Sequence, residues 1–218
     1  MRTMTEALEQ LKSTGFLPRT VVDVGVAYGT PQLYEAFPSA YYFLFEPLAD
    51  FEQHIQDALR KEIRGEYELC GLGETSTTMQ IFVPDHAVGA SLMHRNVYAA
   101  DPRLRTVPVR TLDEVFAHRT VEQPILLKTD CQGGDVAVIR GGRDFIVKCD
   151  VIVMEVCMFP YWSQETPDFA ATIVEMKSLG FVPYDFFDYM LRPHDGALGQ
   201  IDVVFVKDGG PFRATNKW

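Results

Sequence analysis

Apolar residues fall into short runs separated by glycine, proline and acidic residues, and the runs alternate between strand and helix spacing. Residues 20–24 are dominated by β-branched side chains and bounded by Gly25, which predicts a buried strand. A glycine turn with Gly25 and Gly29 leads into a helix over 31–37. The apolar run 40–45 is of strand length and stops at Glu46-Pro47, because proline cannot continue a ladder. Phe51, Ile55, Leu59 and Ile63 recur every four residues, predicting an amphipathic helix over 50–64 that Gly65 ends. Further strands are expected at 67–70, 77–83, 107–112, 125–130, 151–156, 181–186 and 201–206, with a turn at 71–76 and a loop at 190–200. Helices are expected at 113–118, 135–140 and 169–179, the last stopped by Gly180. Leu8 and Leu11 mark an N-terminal helix, and residues 1–17 read as a cap on the rest.

From 84 to 108 periodicity fails, and so long an irregular stretch reads as a lid. The chain shows neither internal repeats nor a low-complexity linker. Strands alternating with helices predict one doubly wound α/β domain over residues 1–218.

Charge narrows the partners. The 218 residues carry 20 Lys and Arg against 30 Asp and Glu, a formal charge of −10. That disfavours nucleic acid and anionic membranes, which need a basic surface. No apolar run approaches the ~20 residues of a membrane span. Cys70, Cys131, Cys149 and Cys157 show no C-x-x-C spacing, so they read as thiols of a reducing cytoplasm.

The candidate chemistry starts at the first glycine turn. It lacks the third glycine of a dinucleotide fingerprint and the Lys-Ser/Thr pair of a P-loop. Asp23 beside it would repel a pyrophosphate and attract an ammonium group. Glu46, at the end of the second strand, stands where ribose hydroxyls are held in nucleoside-binding folds. Together the two acids describe S-adenosylmethionine. The plainer alternatives are a helix-capping Asp23 and a solvated Glu46. The competing ligand class is NAD, disfavoured by the missing glycine and by Asp23.

Asp23-Val24-Gly25-x-x-x-Gly29, Phe45-Glu46-Pro47, Thr111-Leu112-Asp113, Leu127-Lys128-Thr129-Asp130-Cys131-Gln132-Gly133 and Asp202-Val203-Val204-Phe205 occur in that order. In this the chain resembles the FkbM-type S-adenosylmethionine-dependent methyltransferases, from about Pro18 to Lys207. The resemblance implies a Rossmann-like, class I methyltransferase fold: seven mostly parallel strands, one antiparallel, with helices on both faces. It also implies methyl transfer to an oxygen of a small molecule such as a sugar or natural-product hydroxyl. Two departures stand out. Val26-Ala27 replace the family's usual Ala-Asn, leaving backbone groups to hold that end of the cofactor, and Asp135 stands where a glutamate is usual.

Ligands in such sheets lie beyond the carboxyl ends of the strands, where Asp23, Glu46, Gly71, Asp130 and Glu155 all fall. The expected cofactor contacts are Asp23, Gly25, Ala27, Tyr28, Gly29, Glu46, Pro47, Gly71, Leu72, Ser91 and Asp130. Asp130 is the first candidate for positioning or deprotonating the acceptor; its alternative is to cap the 135–140 helix. His194, in the loop between the last two strands, is the second candidate base. His86 and His94 rank below it. Lys128, inside an apolar strand, should pair with an acid. Tyr161-Trp162 would wall an acceptor pocket or pack in the core. Asp113, Asp130 and Glu155 are too scattered in sequence to suggest a metal.

Overall fold

The computed structural model describes residues 1–93 and 100–217. Among them, seven strands form one sheet: β1 (Thr20–Val24), β2 (Tyr41–Phe45), β3 (Arg64–Glu68), β7 (Ile125–Thr129), β8 (Val151–Cys157), β9 (Phe181–Leu191) and β10 (Leu198–Lys207). Their order is β3-β2-β1-β7-β8-β10-β9, and β10 runs antiparallel to both neighbours while the other pairs are parallel. β1, β7 and β8 are buried along their whole length, which explains why they read as unbroken apolar runs rather than alternating ones.

Alternation along each strand sorts the core into two layers. Val22, Val24, Phe43, Phe45, Leu127 and Met154 face one side. There they meet α4 (Leu112–Phe116), α5 (Asp135–Arg140), α6 (Arg143–Ile146) and α7 (Phe169–Ser178). Val21, Tyr42, Leu44, Leu126, Val153 and Val204 face the other, against α1 (Met4–Ser13), α2 (Pro31–Ala36) and α3 (Glu52–Lys61). By the same period of two, Asp23, Lys128, Glu155 and Asp202 belong to the second face. α1 opens on a capping box, Thr3 accepting from the Glu6 amide and Glu6 accepting from the Thr3 amide at 2.8 Å.

Three expectations need correction. Gly65 lies inside β3 and does not stop a helix: α3 ends at Lys61, and a Cβ on Gly65 would stand 2.1 Å from the Tyr42 carbonyl oxygen. The turn expected at 71–76 is partly strand. β4 (Gly71–Leu72) pairs with β6 (Leu104–Arg110), which also pairs with β5 (Thr77–Phe82), giving a second, three-stranded sheet. Finally, β9 and β10 run on into a long hairpin, shrinking the loop expected at 190–200 to a turn at 192–197. Tyr189, Met190 and Leu191 are all exposed there, so burial does not alternate along this part of β9 and hydropathy carries no sign of the ladder.

Beneath the second sheet, Leu48, Phe51, Ile81, Val83 and Val107 form a third apolar cluster, joined by Ala87, Ala90 and Leu92. It becomes a wall of the site.

Candidate active site

A cleft opens beyond the carboxyl ends of β1, β2 and β7. Gly25, Ala27, Glu46, Pro47, Gly71, Leu72 and Asp130 line it, with Phe51, Ile81 and Leu92 as an apolar wall. It encloses about 670 Å³ of non-atom space running out to solvent.

Gly25 is the pivot. Its φ is +80°, and a Cβ there would stand 2.0 Å from the Asp130 carbonyl oxygen. The glycine thus lets β1 and β7 close on each other at the cleft floor. The Asp130 amide donates to the Val24 carbonyl at 3.0 Å and the Gly25 amide to the Phe45 carbonyl at 2.9 Å. Ala27 also has positive φ, +46°. Its amide donates to Glu46 Oε2 at 2.9 Å, while the Leu48 amide donates to Oε1 at 2.9 Å. Glu46 is 4% exposed, and burial pushes its carboxyl up, against the pull of the two amides. Each oxygen keeps a further lone pair for a ligand hydroxyl.

Asp23 does not face the cleft. It is wholly buried, its Oδ2 accepts from Thr30 Oγ1 at 2.8 Å, and Lys128 Nζ lies 3.2 Å from Oδ1. The cation it attracts is therefore Lys128, which corrects the expectation of a ligand ammonium. Burial pushes the Asp23 carboxyl up. For Lys128, burial works against the charged form, but Asp23 and Asp130 outweigh it and hold the ammonium above its usual range. Lys128 also donates to the Gly25 carbonyl at 3.3 Å and lies 3.7 Å from Asp130 Oδ2. The pair thus sets the glycine turn from behind.

Asp130 presents a side chain that is 41% exposed, and its Oδ1 accepts from Gln132 Nε2 at 3.0 Å. It is not the α5 cap: Gly134 holds that position, and Asp135 Oδ1 takes the Cys131 amide at 3.1 Å. Burial, then the Asp130 charge, pushes the Asp135 carboxyl up to about 6.

The remaining candidates divide. Gly29 (φ +105°) closes the turn through its amide to the Val26 carbonyl at 2.8 Å. Tyr28 is exposed outside the cleft, its ring edge-on to Phe51 and His54. Ser91 is buried and donates to the Gln132 carbonyl at 2.7 Å, tying the 87–92 segment to the β7–α5 loop instead of lining the cleft. His194 is exposed at the tip of the β9–β10 hairpin and is not part of the cleft lining. His94 lies outside the described residues. Trp162 covers Gly133, whose Cβ would meet the indole at 2.5 Å, and Tyr161 stacks obliquely on it.

The apolar wall of Phe51, Ile81 and Leu92 escaped sequence reasoning because it depends on the second sheet. Glu155 was placed only at a strand end. In the structure its Oε2 accepts from Gln200 Nε2, and Gln200 Oε1 accepts from the Tyr161 hydroxyl.

The strand order, with its antiparallel next-to-last strand and a cleft at the switch between β1 and β7, defines a Rossmann-like methyltransferase fold. Solved structures agree on the fold. The N-methyltransferase NodS from Bradyrhizobium japonicum WM9 is 7% identical, with a TM-score of 0.51 over 93% of this chain and 93% of that one. An rRNA methylase from Streptococcus thermophilus is 10% identical, with a TM-score of 0.50 over 95% of this chain and 97% of the other. A search of curated proteins gives no match. The model of the methyltransferase FkbM domain matches residues 23–183, so this chain belongs to the FkbM methyltransferase family.

Proposed function

We propose that the protein transfers a methyl group from S-adenosylmethionine to a hydroxyl of a small molecule. The observation that carries the cofactor assignment is Glu46: a carboxylate fixed by two backbone amides at the end of β2, with lone pairs left over in the cleft. The lining fits a nucleoside, since Phe51, Ile81, Leu72 and Leu92 offer apolar walls for a flat ring. Gly25, Ala27 and Gly71 bring backbone close to the same space, in keeping with the loss of the side-chain amide at Ala27.

When bound, S-adenosylmethionine supplies an activated methyl carbon. The chain's own task is to exclude water, aim the acceptor oxygen and accept its proton. Asp130 suits the last two. It borders the cleft, is partly exposed, and is steadied by Gln132 and Lys128 without being sealed by either. The 87–92 segment suits the first, pinned through Ser91 onto the β7–α5 loop. Movement of this segment would admit and release the cofactor. A formal charge of −10 supports a small acceptor over RNA.

Calorimetry with S-adenosylhomocysteine and with NAD tests the reading. Micromolar binding of the first, roughly −8 kcal/mol, is expected; binding of NAD alone would replace methyl transfer with a dinucleotide-dependent reaction.

A further inference from the structure

The turn that follows β7 holds a residue in an uncommon conformation. The Gly134 amide donates to the Cys131 carbonyl at 3.1 Å and closes the turn. Its two central residues, Gln132 and Gly133, have φ of +50° and +91°. A turn with positive φ at both central positions favours glycine, asparagine or aspartate at the first of them. Glutamine lacks the short polar group that bonds its own backbone there, yet bears the steric cost of a Cβ. Such a cost persists only where surrounding contacts hold it, and it is commonest at functional sites.

Gln132 carries two contacts, one from its backbone and one from its side chain. Its carbonyl accepts from Ser91 Oγ at 2.7 Å, and its Nε2 donates to Asp130 Oδ1 at 3.0 Å. Ser91 is itself fixed. It is buried, its amide and carbonyl pair with Phe82 of β5 at 3.1 and 3.0 Å, and its hydroxyl oxygen takes the Met93 amide at 2.9 Å. The second sheet therefore grips the turn through one hydroxyl. At the other end, the Gln132 amide is the one hydrogen-bond donor to the Asp130 side chain among the described residues. Lys128, 3.7 Å from Oδ2, attracts that carboxylate without fixing its direction. Asp130 and Gln132 both line the cleft. A left-handed residue other than glycine costs about as much as one hydrogen bond contributes, so the Ser91 contact is of the size that decides whether Gln132 stays there.

We infer that Gln132 is a positioning residue that couples the 87–92 segment to Asp130. With Ser91 in place, the turn keeps its left-handed form and the Gln132 amide aims the Asp130 carboxylate. With the segment lifted, the turn relaxes and the amide withdraws. This deepens the methyl-transfer reading and rests on it. The consequence is timing: Asp130 is aimed at an acceptor only while the cofactor is covered, so closure itself completes the site. An open cleft then holds water beside a carboxylate that is not set to take its proton, which spares the methyl donor from hydrolysis.

The test is NMR of the nitrogen-labelled full chain, free and saturated with S-adenosylhomocysteine. The Gln132 side-chain amide is identified as the signal that Gln132→Glu lacks. With the ligand bound, its protons are expected to exchange with water at least about 10-fold more slowly than those of an exposed glutamine, the low end for a hydrogen bond to a charged group. Asp130→Ala takes away the acceptor and should abolish this protection. Ser91→Ala alters neither the amide nor the carboxylate, yet should abolish it too, with S-adenosylhomocysteine still bound. That variant is expected to fold, because the pairing of Ser91 with Phe82 uses backbone groups alone. A merely structural Ser91 would lower the unfolding temperature and leave the Gln132 amide protected. Protection that survives in Ser91→Ala, or is missing from the parent with ligand bound, overturns the inference. Failure of the parent to bind S-adenosylhomocysteine would instead sink the cofactor reading, while the Ser91→Ala comparison in the free protein still decides the coupling.

Discussion

Replacing Glu155 with glutamine should change how stability depends on pH, and the size of the change follows from its surroundings. Burial, with Asp130, Asp135 and Asp202 close by, pushes the Glu155 carboxyl from 4.5 up to about 9. The folded protein therefore holds this proton more tightly than the unfolded chain. Its contribution is fully present below the unfolded value and is lost as pH rises towards 9. Each pH unit in that window costs about 1.4 kcal/mol, so going from about pH 5.5 to about 8.5 removes on the order of 2–4 kcal/mol, the lower figure allowing for carboxylates that share the field. Glutamine does not titrate, and Gln200 can still donate to its side-chain oxygen. Urea unfolding of both proteins at several pH values reads the difference directly. The parent should lose stability on the alkaline side more steeply than the variant, the two curves meeting near pH 5. Parallel curves would show that Glu155 is already ionised in the folded protein, and the argument that burial and the neighbouring carboxylates hold its proton would fall.

Glu46→Ala should weaken S-adenosylhomocysteine binding by about 1.5–3 kcal/mol in calorimetry, through lost hydrogen bonds to a charged group and a loosened Ala27 amide. Asp130→Asn should cost turnover far more than cofactor affinity; equal losses would make Asp130 a structural residue. His194→Ala should leave turnover intact, because the imidazole stands at an exposed hairpin tip; a loss of ~100-fold or more would restore it as a base. Gly25→Ala, with its Cβ aimed 2.0 Å from a carbonyl oxygen, should lower the unfolding temperature and abolish cofactor binding; a well-folded variant with native affinity would contradict the described approach of β1 to β7.

The sheet was legible in sequence where strands are buried on both faces. Val21-Val22, Leu126-Leu127 and Val151-Ile152-Val153 can satisfy their burial in few other ways. Glu46 was legible for a related reason: an acid followed by proline, at the end of an apolar run, marks where a strand leaves the sheet. What failed to show were relations between distant segments. Asp23 and Lys128 are each odd residues for a core strand, yet only the β1–β7 register makes them partners. Gly65 looked like a helix stop because its reason, the Tyr42 backbone, lies on another strand. The cleft's apolar wall is built by β5 and by the 87–92 segment, whose side chains are unremarkable until the second sheet folds them over.

Trp162 rests on Gly133, two positions before Asp135 and three after Asp130, with its indole nitrogen buried and unpaired. The chain has two tryptophans, the other being the terminal Trp218. A Trp218→Phe protein would thus carry one tryptophan, packed on Gly133 in the loop between β7 and α5 that borders the cleft. Its emission maximum and quenching by iodide would follow that loop in real time, giving an optical readout of occupancy for acceptors whose identity need not be known beforehand.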